Sequence, residues 1–136
     1  MTDYTITRTL ARPYEEVVEA VRAALADQGF GILTEIDLKA TLKAKLDVDV
    51  APQVILGACR PALAHEALSS EPSIAAVLPC NVVVRAVGDT TTAVEAFDPD
   101  AMMGLADNPA LHTVATDAKQ RITAALASLA PSKGDS

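Results

Sequence analysis

A chain of 136 residues, half of them hydrophobic, holds enough Ala, Val, Leu and Ile for one core, but with 3% aromatic residues and no Trp it has few rings to stack on bases. Its 11 Lys and Arg against 18 Asp and Glu give a net charge of −7 and a pI near 4.6, which argues against a phosphate backbone as partner. No basic leader followed by an apolar run is visible, nor an apolar stretch of ~18 residues that could span a bilayer. The expectation is a soluble cytoplasmic protein whose two cysteines are reduced thiols.

From the start of the chain, Tyr4 to Leu10 alternates with period two and is rich in β-branched residues, which predicts a strand. Pro13 opens a helix with an apolar stripe of Tyr14, Val17, Val18, Val21 and Leu25, and Gly29 closes it. Glu15, Glu16 and Glu19 lie in its first turns, where the helix dipole favours negative charge. Gly31 to Asp37 predicts a second strand. Asp37 then caps a short helix through Leu38, Leu42 and Leu46, with Lys39, Lys43 and Lys45 turned to water. Val54 to Cys59 is apolar on both faces, the pattern of a central, covered strand.

Pro61 opens the next helix, with Leu63, Ala64, Ala67 and Leu68 as its buried side. Pro72 restarts a short helical segment through Ile74, Val77 and Leu78, and Pro79 stops it. Asn81 to Val87 and Thr91 to Phe97 form a hairpin across Gly88-Asp89. Asp98-Pro99 begins a helical turn ending near Gly104. Asn108 caps a last helix opened by Pro109, with Ala115, Ala118, Ile122, Ala125, Leu126 and Leu129 inward. Residues 131–136 are polar and read as a frayed tail on a single domain of residues 1–130. The order predicts an α+β two-layer sandwich: a five-stranded, mainly antiparallel sheet covered by two long helices.

The segments GFGILTEIDLKATLKAKLDVDV (29–50), VILGACRPALAHEAL (54–68) and LPCNVVV (78–84), with DPDAMMG (98–104), resemble the domain of unknown function 302 family. The resemblance runs from about Tyr4 to Leu129, nearly the whole chain. It implies a TATA-box-binding-protein-like fold with a β-α-β(4)-α plan and inserted short helices, and members that pair as dimers. It implies no activity and no DNA binding, so function has to be argued from a site.

Cys59 closes the third strand and Cys80 opens the fourth, so antiparallel pairing would bring both sulfurs to one edge of the sheet. His65 lies one turn into the following helix, off the centre of its apolar stripe. Three soft or borderline ligands could converge there for zinc or copper(I), with Glu66, the distant His112 or water as a fourth. A second reading makes Cys59 a nucleophilic or redox thiol, since it precedes a helix N-terminus and His65 could take its proton. Each reading competes with two cysteines packed as small hydrophobes. Asn81, directly after Cys80, could point its amide into a pocket or satisfy backbone groups beside Pro79. Glu35 and Asp37 read as a solvent-facing side plus a helix cap, His112 as a surface residue, and Met102 and Met103 as gap-fillers. No glycine-rich phosphate loop and no G-x-S-x-G elbow is present.

Three functions stay open: a homodimeric domain binding a small ligand or metal at the Cys59/His65/Cys80 edge, a thiol enzyme using Cys59, and a purely structural dimer. The residues name no cofactor.

Overall fold

The computed structural model describes residues 4–106 and 108–130, with Met103 described by its backbone alone. The tail expected over residues 131–136 lies outside the described residues. Among the described residues, five strands and five α-helices follow in the order β1 (Thr5–Leu10), α1 (Tyr14–Asp27), β2 (Gly31–Asp37), α2 (Leu38–Leu46), β3 (Gln53–Cys59), α3 (Pro61–Ser70), a 3₁₀ segment (Pro72–Val77), β4 (Cys80–Gly88), β5 (Thr91–Phe97), α4 (Pro99–Leu105) and α5 (Leu111–Ala127). The strands form one antiparallel sheet in the order β1-β5-β4-β3-β2, so β1 and β2 are its edges. No helix among the described residues is long and apolar enough to cross a membrane.

Period-two patterning decides which face is covered. Leu10, Val54, Leu56, Ala58, Val82, Val84, Val94 and Ala96 share one face and are buried against Val17, Val21 and Leu25 of α1 and Ile122, Ala125 and Leu126 of α5. Two arginines close this layer by meeting backbone carbonyls at and just beyond the end of α5. Arg8 donates to the Leu126 carbonyl, and Arg12 donates to that of Ala130 at 3.2 Å. Thr92 is buried on the same side, and its hydroxyl donates to the Arg12 carbonyl at 2.8 Å. A second, smaller core forms where α3, the 3₁₀ segment and α4 meet α5, from Leu63, Ala67, Ile74, Met102, Leu111 and Val114.

Three expectations shift. The last helix starts at Leu111, because Asn108 serves the turn before it: its Oδ1 accepts from the Ala110 N–H, while its Nδ2 donates to the Ser70 carbonyl and Glu71. On α3, Leu63 and Ala67 are buried but Leu68 is 37% exposed, since the second core reaches only part of that stripe. β3 is an interior strand, yet its other face is only partly covered, with Ile55 half-buried. Asp37 does cap α2, accepting from the Ala40 N–H at 2.9 Å.

Candidate functional site

Ala58 and Cys80 are register partners, so Cys59 lies one residue beyond the pair, where side chains alternate between faces. Both cysteines nonetheless border the same cavity at the end of β3 and β4, together with Phe30, Leu63, Met102 and Ala118. That cavity measures about 30 Å³, room on the scale of a single water. Burial raises the Cys59 thiol above its ordinary pKa. Burial, and then the neighbouring Cys59, raise that of Cys80. Both groups are therefore held as neutral thiols, the form that is neither nucleophile nor ligand.

The other candidates lie elsewhere. His65 and Glu66 are exposed on α3 and do not line the cavity. Asn81 is exposed and borders a different space. His112 is exposed as well. Among the described residues no group of three or more His, Cys, Asp or Glu side chains is placed to hold a metal ion. The sheet edge thus unites Cys59 with Cys80 and leaves out the imidazole that either chemistry would need. Arg60 also borders the cavity; its Nε is buried without a hydrogen-bond partner among the described residues, and its side chain runs along Gly29. Gly29 has φ +85°, and a Cβ there would lie 3.0 Å from that Nε, so glycine serves both the turn and the approach.

A larger space opens on the other face of the sheet. Arg8 faces α5, so Thr7 and Thr5, one and three residues removed, face away from it, toward Glu95 of β5. A groove of about 430 Å³ runs over this face, walled by Tyr4, Val77, Val83, Phe97 and Leu105 and floored by Asn81 and Glu95. The Thr5 hydroxyl donates to Glu95 Oε2 at 3.0 Å, and Thr7 approaches the same oxygen at 3.4 Å. Arg85 Nη2 donates to Oε1 at 3.1 Å. Burial alone would raise the Glu95 pKa, but hydrogen bonds from Thr5 and Arg85, the Arg85 charge and the Thr7 hydroxyl outweigh it and hold the carboxyl below its ordinary value. Glu95 is a fixed carboxylate and no reservoir of protons at neutral pH.

Gly57 shapes the floor beside this groove. A Cβ there would stand 2.1 Å from Thr34 Oγ1 and 2.8 Å from Pro79 Cγ, so glycine lets both residues lie across the strand. Glu95, Arg85 and Gly57 were not among the residues singled out by type. The hairpin carried a signal for two of them, because pairing across Gly88-Asp89 brings Arg85 and Glu95 diagonally together on one face.

A third cleft, between α1 and β2, holds Tyr14, Glu15, Glu19, Arg22, Glu35 and Asp37. Glu35 is paired there with Arg22 rather than turned alone to solvent. Burial, then Asp37 and Glu15, raise the Tyr14 hydroxyl pKa against the opposing Arg22 charge.

Comparison with known proteins agrees with this architecture. The crystal structure of an uncharacterized conserved protein DUF302 from Bacillus stearothermophilus superposes with a TM-score of 0.84 at 28% identity, covering 93% of this chain and 98% of that one. No curated protein matches the chain. The model of the family described as domain of unknown function DUF302 matches residues 6–129, and the chain belongs to that family.

Proposed function

We propose that this protein is a non-catalytic, small-ligand-binding domain that works as a homodimer. One observation carries the ligand reading: the open face of the sheet holds a groove of about 430 Å³ with apolar walls and a preset polar floor. Ligand sites are commonly clefts of roughly 300–1,000 Å³ built in this way. The cavity beside Cys59 and Cys80, at about 30 Å³, is too small for such a molecule without movement of its walls. The candidate site is therefore placed on the open face instead of at the cysteine edge.

The dimer is proposed through the corner of β2 and α2. Leu33 and Leu46 are 64% and 66% exposed, Ile36 and Val48 over 40%, and α2 buries none of its residues. Charge along residues 37–49 balances, Lys39, Lys43 and Lys45 against Asp37, Asp47 and Asp49, with Lys43 paired to Asp47 at 2.8 Å and Asp49 at 3.6 Å. Two copies each carrying −7 meet with least repulsion on such a neutral apolar patch, and a two-fold axis lets the same patch serve both. This corner lies at the opposite end of the strand order from the groove, so pairing leaves the groove free.

Native mass spectrometry of the untagged protein tests both parts. The expected result is a dimer with a small-molecule adduct that Asn81→Trp, which fills the groove, removes. Leu46→Lys is expected to yield monomer. A wild-type monomer without adduct contradicts the proposal. The thiol alternative rests on the cavity that Cys59 and Cys80 share; it requires a thiolate, and burial acts against one.

A further inference from the structure

We propose that the open-face groove is a site for an organic ammonium ion, an amine or quaternary ammonium carried on a small apolar body. The inference rests on the groove being a ligand site and adds the class of ligand.

Two features of the groove point to a cation. The chain has four aromatic residues, two Tyr and two Phe, and two of them, Tyr4 and Phe97, border this one space. Aromatic faces attract ammonium groups within about 6 Å of the ring centre, while Val77, Val83 and Leu105 suit an apolar body. Among the described residues that line the groove, Glu95 is the one charged side chain, and no Lys or Arg stands among them. An anion entering there meets a carboxylate without a matching cation on the wall.

The hydrogen bonding of Glu95 leaves room for this role. An ionised carboxylate has roughly four acceptor positions. Oε2 takes the hydroxyls of Thr5 and Thr7, while Oε1 takes one N–H of Arg85. Oε1 retains capacity for one more donor, which an ammonium N–H supplies or a quaternary head meets by charge alone. Arg85 weakens the field of Glu95 but is not on the groove wall, so the carboxylate is the nearer charge. The net charge of −7 further raises the local concentration of cations around the molecule.

The test is an ¹⁵N–¹H NMR titration of the full chain at pH 7 with 2-phenylethylamine, its neutral analogue 2-phenylethanol and the anion 3-phenylpropionate. The expected result is that the amine shifts the Val83, Glu95 and Phe97 amides and binds at least about tenfold more tightly than the alcohol. Glu95→Gln, near in shape, is expected to bring the amine down to the alcohol's affinity. Should that variant fail to fold, the wild-type ratio of amine to alcohol decides alone. Alcohol or acid binding in the groove as tightly as the amine overturns the ammonium inference and leaves the ligand reading standing. No groove shifts with any probe at millimolar concentration overturns both.

Discussion

The two faces of the sheet use the same strands for opposite ends. On the face toward α1 and α5, Leu56, Val82, Val84 and Val94 are fully buried, and the small space left at its edge is bordered by thiols that burial favours in the neutral form. On the other face, Thr5, Asn81 and Glu95 alternate with those residues and border an open groove, with Arg85 behind Glu95. The residue types with the most chemistry, Cys59 and Cys80, fall on the tightly packed side. Ordinary strand residues, with Val77 and Leu105 from neighbouring helical segments, form the recess. Reactivity of a residue type and access to a ligand are therefore separate questions here, and the pleat answers the second.

The largest expected difference between the faces is in stability. Leu56→Ala on the covered face should cost about 2–5 kcal/mol in urea unfolding, because the core there cannot collapse fully. Val83→Ala, half-buried on the groove wall, should cost clearly less. Equal losses would mean that the open face is as tightly packed as the other. Gly57→Ala comes next, at about 1–3 kcal/mol, since the new methyl meets Thr34 and the rigid ring of Pro79. Adding Thr34→Ala should recover part of that loss, and no recovery would place the strain at Pro79 alone.

Glu95 offers a smaller, pH-dependent contrast. Its folded pKa is lowered, so the stability it contributes is present above the ordinary glutamate pKa of about 4.3 and is lost as pH falls through the folded value. Glu95→Gln should therefore lower the unfolding free energy measured in urea at pH 7, by about 1 kcal/mol or less for a partly exposed pair, and make little difference at pH 2. A gap that persists at low pH would mean that packing, and not charge, is what the carboxylate supplies. At the cysteine edge the effect should be close to nothing. Cys59 should alkylate with iodoacetamide more slowly than free cysteine at pH 7, Cys80 likewise, and His65→Ala should alter stability by no more than about 0.5 kcal/mol. Faster alkylation of Cys59, lost in His65→Ala, would restore the thiol reading.

Much of the architecture was legible because it is local. The limits of β2 and α2 follow from Gly31, Asp37 and the spacing of Leu38, Leu42 and Leu46. The inward set Ala115, Ala118, Ile122, Ala125, Leu126 and Leu129 follows from helical period alone, and all six are buried. The start of α5 was less legible, because Asn108 reaches Ser70 and Glu71 on another part of the chain. The site was least legible of all. Glu95 gains its role from Thr5, ninety residues earlier, and Gly57 from the ring of Pro79 lying over it. Neither proximity leaves a mark in the spacing of its own strand.

The most direct measurement is methyl-resolved NMR of the intact protein during titration with a mixed library of small fragments. Val83 and Leu105 report on the groove, and Leu63 and Met102 on the cavity beside the cysteines. The account predicts saturable shifts at Val83 and Leu105 with Leu63 and Met102 unmoved. Shifts confined to Leu63 and Met102 would contradict it and return the site to Cys59 and Cys80.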